Sequence, residues 1–300
     1  MEILITGGTG FVGSRLVRAL QGEQHSLTIL TRSGSREKDG IHYVQWLKPD
    51  ARPEELVTPP DAVVNLAGIS INDGNWSEEH QKKIYESRME ATDELLRILS
   101  TFSKKPAVFV NASAVGIYPT SETNVYTEQS EEIAPDFLGR TVHDWEKKAA
   151  AMEQYGTRVV FTRFGTVLGE DGGALPVMAL PYKLFAGGPI GSGQQWISWV
   201  HVEDVARAIR FVIDTPSMHG PVNVTAPAPV RMSELGRTIG SLLRRPHWLP
   251  VPAFAMKALL GNKSKLVLEG QHVLPEKLID SDFEYAYPAI RPALENILID

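Results

Sequence analysis

Three hundred residues with 43% hydrophobic side chains suffice for one large domain or two modest ones. A formal net charge of −6 argues against a nucleic-acid surface, and the absence of cysteine excludes disulfides, thiolate nucleophiles and Cys-ligated zinc. No apolar run approaches the roughly 18–20 residues needed to cross a bilayer. With no signal-peptide pattern before the first strand, a cytoplasmic protein with no membrane partner is the expectation.

The apolar run at residues 3–5 predicts a buried parallel strand. It leads into Gly7, Gly10 and Gly13, spaced G-x-x-G-x-x-G, and then a helix over 14–20. Glycines in that context let the backbone turn tightly against a pyrophosphate, whose charge the free N–H groups of the helix start attract. A dinucleotide is therefore expected on Thr6, Gly7, Gly10, Phe11, Val12 and Gly13. The second strand spans 26–31, and its end should read the cofactor ribose. An NAD site usually places Asp or Glu there, about twenty residues past the glycines. This chain has Thr31-Arg32-Ser33, with Arg36 just beyond. A guanidinium and a hydroxyl bind a 2′-phosphate that a carboxylate would repel, so Arg32 and Ser33 point to NADP(H).

A short strand over 42–46 and a Pro-rich stretch follow. The strand at 62–66 ends in Asn65-Leu66-Ala67-Gly68, and Leu66, Ala67 and Gly68 are expected beside the cofactor. Ser77 is placed as an N-cap, and Ala91, Leu95, Ile98, Leu99 and Phe102 recur at helical spacing. Strands at 107–111 and 158–163 flank a helix at 141–154. Strands alternating with helices predict an α/β fold with a Rossmann-type doubly wound parallel sheet. From Thr166 the pattern changes to Gly-rich turns and scattered helices. Residues 196–202 and 222–225 are expected to return to the sheet, around a helix that His201 and Asp204 orient and cap. The division that follows is 1–168 plus 198–226 for the NADP-binding domain. Residues 169–197 plus 227–300 form a smaller, discontinuous C-terminal substrate lobe.

The glycine turn, the N-L-A-G strand end, S-A-V-G-I-Y at 113–118 and H-V-E-D-V-A at 201–206 together resemble the extended short-chain dehydrogenases/reductases. N-W-S around Trp76, Ser87-Arg88, D-W-E at 144–146, G-G-A-L at 172–175, G-S-G-Q, S-W-V-H and the tail from Leu249 are similar to one atypical bacterial branch. Its members are labelled epimerase family protein: NAD-dependent epimerase/dehydratase-like chains with a small C-terminal domain of unknown function. The resemblance implies an NAD(P) domain, a substrate lobe acting on nucleotide sugars or related alcohols and ketones, and a possible homodimer.

That superfamily works with a serine, a tyrosine and a lysine, the last two four residues apart on one helix face. None of the eight tyrosines here has a lysine four positions later. Ser113 resembles the serine. On the helix at 141–154, the tyrosine and lysine places fall to Val142 and Glu146 or, in the other register, to His143 and Lys147. Ser113, Tyr118, Glu146 and His143 are thus the candidate catalytic groups. Arg88 is a candidate for a substrate carboxylate or carbonyl. Trp196 and Gln195 suit a flat ligand that stacks and hydrogen-bonds, because Ile197 stands near where nucleotide-sugar members place a diphosphate-binding arginine. No residue set has metal-ligand spacing. Two functions fit: an NADP(H)-binding oxidoreductase or epimerase-like protein acting on a small molecule, or a non-catalytic NADP(H)-binding sensor or scaffold.

Overall fold

The structure, a computed structural model, describes all residues except Gly22, Gln24 and Asp300. Its first strands are β1 (Glu2–Thr6), β2 (Ser26–Thr31), β3 (Arg36–Lys38), β4 (Ile41–Gln45), β5 (Ala62–Asn65) and β6 (Val108–Ala114). Short β7 (Val125–Tyr126) precedes β8 (Arg158–Phe164), β9 (Thr166–Leu168), β10 (Trp196–Ile197) and β11 (Trp199–His201). The last are β12 (Gly220–Val224), β13 (Val230–Arg231) and β14 (His272–Val273). Among the described residues, eight strands form one sheet in the order β12-β8-β6-β5-β1-β2-β4-β3. All neighbours are parallel except β3, which returns antiparallel to β4.

Helices cover both faces, which is why the central strands read as unbroken apolar runs. Helices α1 (Phe11–Gln21) and α5 (Val202–Asp214) bury Leu16, Leu20, Val205 and Ile209 against Ile3, Ile5 and Ile29. On the opposite face, α2 (Glu78–Thr101) lays Leu95, Ile98 and Leu99 on Leu4, Val63 and Phe109. Helix α3 (Phe137–Ala149) runs beside α2 and adds Ala149 to the same cluster. The chain leaves β1 toward β2 on one side and resumes at β5 on the other. Crevices at such reversals, outside the carboxyl ends of the strands, are where open α/β sheets bind ligands.

A further cluster joins α4 (Leu175–Lys183) and α6 (Met232–Leu243) to Trp199 of β11, through Leu175, Tyr182, Leu235 and Ile239. The tail adds α7 (Ala253–Leu260), α8 (Lys265–Leu268), α9 (Glu276–Asp280) and α10 (Ile290–Leu298), and Leu294 of α10 completes that cluster.

Ser77 accepts from His80 N at 3.3 Å, as its N-cap placement requires. Two expectations are corrected. The 196–202 segment does not rejoin the large sheet: β10 pairs antiparallel with β13, and β11 pairs parallel with β9. The chain peels away at Gly165, where a Cβ would lie 2.2 Å from the Ser198 carbonyl oxygen. Nor does Asp204 cap α5. The helix starts directly out of β11, so His201 Nδ1 accepts from Glu203 N, while buried Asp204 accepts Ala286 N (2.7 Å) and Tyr287 N (2.9 Å). Asp204 thereby fastens the tail to the sheet domain.

Candidate functional site at the carboxyl edge of the sheet

The glycine turn is set by contact. Gly7 has φ +68°, and a Cβ on it would come 2.6 Å from the Leu66 carbonyl oxygen. A Cβ on Gly13 would lie 2.2 Å from the Gly7 carbonyl oxygen. Gly10 N donates to Gly7 O and Ser14 N to Gly10 O, at 2.9 and 2.8 Å. The N–H groups of Phe11, Val12 and Gly13 have no acceptor among the described residues. The turn therefore presents an anion cradle. Thr6 is buried beneath it and holds the neighbouring strand end: its hydroxyl donates to Asn65 Oδ1 (2.7 Å) and accepts from Leu66 N and Ala67 N. Phe11 fills the space left by Gly169, Gly172 and Gly173, so this Gly-rich segment is shaped to the helix start. At the end of β2, Arg32 and Ser33 are exposed, and Arg32 has no hydrogen bond or ion pair among the described residues. Arg36 instead lies over the Tyr43 ring at 4.3 Å.

One strand beyond β5, Ser113 stands near the end of β6. Its Oγ donates to Glu146 Oε1 at 2.5 Å. Arg163, from β8, grips the same carboxylate in a fork: Nε to Oε1 and Nη2 to Oε2, each 2.8 Å. Its Nη1 donates to the Tyr118 hydroxyl at 2.8 Å, and that hydroxyl lies 2.9 Å from Thr127 O and Asn223 Oδ1. All four side chains are buried, Tyr118 completely. Burial raises the Tyr118 phenol despite the arginine beside it. Burial alone would lower the Arg163 guanidinium, but the Glu146 carboxylate holds it above its ordinary value. Farther in, Asn223 N donates to Glu128 Oε1 at 2.9 Å, and burial pushes that carboxyl up.

Helix α3 presents Val142 and Glu146 inward and leaves His143 and Lys147 exposed. The Trp145 indole N–H, bonded to Thr92 Oγ1 at 3.0 Å, sets this rotation. Ser113, Glu146 and Tyr118 are thus joined in one network, and His143 is not part of it. Sequence reasoning missed Arg163 and Asn223. The available signal was a charged residue near the carboxyl end of an otherwise apolar strand, RVVFTRF.

Arg88 sits against Gly68, where its guanidinium carbon would be 3.1 Å from a Cβ. Its Nη1 donates to Ile69 O (3.0 Å) and Ile84 O (2.8 Å), and the group lies over the Trp145 ring at 5.1 Å. It has no carboxylate partner among the described residues, and burial pushes its pKa down to about 10. Gln195 and Trp196 are engaged within the chain. The Gln195 amide donates to Val267 O at 2.6 Å and Ile190 O at 3.2 Å. The Trp196 indole donates to Glu122 O, while its ring stacks on His272 at 4.0 Å and carries Arg231 at 3.7 Å. Buried Ile197 belongs to the apolar cluster of β11 and α6. Among the described residues, no group of three or more His, Asp or Glu could hold a metal, and no helix is long and apolar enough to cross a membrane.

The model of the NAD dependent epimerase/dehydratase family matches residues 3–224, and a domain of unknown function (DUF1731) matches 251–297. The chain is 46% identical over 301 residues to the epimerase family protein YfhF of Bacillus subtilis (strain 168), covering 100% of this chain and 99% of that one. Identity to the epimerase family protein SH2119 of Staphylococcus haemolyticus (strain JCSC1435) is 44%, covering 99% of each. Among solved structures, human epimerase family protein SDR39U1 (isoform2) with NADPH superposes with a TM-score of 0.87 at 33% identity, covering 99% of each chain. UDP-glucuronic acid 4-epimerase from Bacillus cereus, with UDP-glucuronic acid and NAD, shares the fold (TM-score 0.80, 99% of this chain and 98% of that one) at 15% identity.

Proposed function

Because the chain belongs to the NAD dependent epimerase/dehydratase family and carries a C-terminal DUF1731 domain, we propose that it is an NADP(H)-binding oxidoreductase or epimerase acting on a small molecule. Its proton chemistry runs through Ser113 and Glu146 in place of a tyrosine–lysine pair. The observation that carries this reading is the Ser113–Glu146 hydrogen bond, placed at the same sheet edge as the glycine cradle.

The residues present fit a dinucleotide. A Cβ on Gly7 or Gly13 would strike the Leu66 or Gly7 carbonyl oxygen, so glycine lets the turn close, and the N–H groups of Phe11, Val12 and Gly13 are left to bind a diphosphate. Leu66, Ala67 and Gly68 would line the cofactor, and Arg32 and Ser33 would take a 2′-phosphate. The NADPH in the human relative's structure supports that choice. When bound, the cofactor supplies a hydride donor or acceptor for a carbonyl–alcohol pair. Ser113 Oγ then accepts the proton of a substrate hydroxyl while passing its own to Glu146 Oε1; reduction runs the same transfers in reverse. Arg163 fixes the carboxylate in position. Arg88, without an acidic partner, would hold a carboxylate or carbonyl of the substrate.

A second reading, a cofactor-binding sensor or scaffold, is favoured by the same fork. Both oxygens of that carboxylate are already engaged, by Arg163 and by the Ser113 hydroxyl, as in a structural ion pair. Calorimetric titration of NADPH and NADH comes first. A charge-assisted hydrogen bond contributes about 1.5–3 kcal/mol, so Arg32→Glu is expected to weaken NADPH about tenfold to a hundredfold and leave NADH binding unweakened. No binding of either cofactor would overturn both readings.

In a screen of carbonyl substrates with NADPH, Ser113→Ala is expected to lower turnover about 10²–10⁴-fold at unchanged cofactor affinity. Turnover retained in Ser113→Ala removes the relay. Tight NADPH binding without turnover by the native chain selects the sensor reading.

A further inference from the structure

The lobe built on α4, α6 and α7 presents a surface unlike the rest of the chain. Sixteen large apolar side chains are exposed among the described residues, and eight of them fall in two short segments, 177–185 and 248–259. Such clustering, unlike single exposed leucines, marks an interaction surface. The two segments lie side by side. Trp248 Nε1 donates to Phe185 O (3.1 Å), Trp248 N to Gly187 O (3.0 Å) and Val251 N to Pro189 O (2.8 Å). Helix α7 follows at once and buries none of its eight residues, with Phe254 76% and Leu259 78% exposed.

Basic side chains dominate this face, although α6 carries Glu234 in its first turn. Residues 174–190 and 235–268 contain no Asp or Glu, in a chain whose acids outnumber its Lys and Arg by 36 to 30. Lys183, Arg237, Arg244, Arg245 and Lys257 lie in these segments without an ion pair among the described residues. Arg245 lies over the exposed Phe185 ring at 4.1 Å, so cation and apolar tip share one patch. The other two cations of these segments are engaged: Lys263 donates to the carbonyl oxygens of Asn72 and Gly74, and Lys265 is paired with Asp136 at 3.5 Å.

We infer that this face docks on an anionic lipid surface, with the α7 and 184–185 side chains entering the headgroup–acyl boundary and the unpaired cations meeting acidic headgroups. Interfacial binding of this kind needs apolar tips flanked by Lys and Arg, not a spanning helix. A symmetric contact with a second copy would set five unpaired cations against the same five, which opposes that occupant.

The test is cosedimentation of the full chain with vesicles of phosphatidylcholine alone and of phosphatidylcholine containing about one-third phosphatidylglycerol. Binding is expected on the anionic vesicles only and is expected to weaken as salt rises. The double variant Arg244→Ala, Lys257→Ala is expected to lower partitioning about thirtyfold, through loss of two headgroup-facing cations. Phe254→Ser with Leu259→Ser is expected to lower it at least about tenfold. These exposed side chains support no core, so an unchanged melting temperature and NADPH titration separate loss of docking from loss of fold. Equal binding to both vesicle types, no binding, or variants that bind like the native chain would overturn the inference. So would a concentration-dependent dimer that the Phe254/Leu259 variant converts to monomer, which assigns the face to a second copy. None of these outcomes depends on whether the Ser113 site turns over a substrate.

Discussion

Arg163→Met is expected to destabilise the protein by about 3–5 kcal/mol, the cost of leaving one member of a buried ion pair alone. Arg163 and Glu146 are joined by two 2.8 Å bonds in a site where both side chains are about a tenth exposed. Without the guanidinium, the carboxylate keeps only the Ser113 hydroxyl, and Tyr118 loses the donor to its oxygen. The measurement is urea unfolding, with the loss read as a shift of midpoint at constant slope. Glu146→Met should be damaging for the converse reason, since it strands the cation. The double variant Arg163→Met, Glu146→Met should cost less than the sum of the two singles, because an apolar pair carries no desolvation penalty. If Arg163→Met costs under about 1 kcal/mol, below the range for breaking a buried pair, the pair does not support the fold. The stability result is separate from the catalytic one, where Ser113→Ala leaves the pair intact.

Gly13→Ala is expected to abolish tight cofactor binding. The added Cβ would sit 2.2 Å from the Gly7 carbonyl oxygen, and that neighbour is backbone, so the turn itself must open. The shift would displace the N–H groups of Phe11 and Val12 from a common anion site. A loss of NADPH affinity of at least about a hundredfold, roughly 2.7 kcal/mol, is the expected calorimetric result. An accompanying stability cost of about 1–3 kcal/mol is expected from overpacking. Gly34→Ala is the control: nothing lies within 4 Å of its added Cβ, so affinity and stability should be unchanged. Native-like NADPH binding by Gly13→Ala would place the cofactor elsewhere.

The parts of this molecule readable without coordinates are those whose causes are local. Glycine sterics, the apolar runs of β1, β2 and β5, and alternation with helices are encoded within a few residues of each other, and they lead to a doubly wound parallel sheet with a dinucleotide turn. The Ser77 cap is local in the same sense. The site was legible only in part, since Ser113 and Glu146 could be nominated singly but not joined. Their partner is 17 positions from Glu146 on another strand, and the Asn223 that anchors Tyr118 is 105 positions away.

The tertiary structure decided which face of α3 looks inward, because Trp145 locks onto Thr92 of α2; the spacing of the D-W-E segment favoured the Val142 and Glu146 register but left the other open. It also buried Tyr118 completely in the Arg163 network, and covered Trp196 with His272 and Arg231, residues from distant segments. Spacing along a chain specifies turns and periodicity. The neighbours of a buried charge are set by how strands far apart in sequence come to lie side by side.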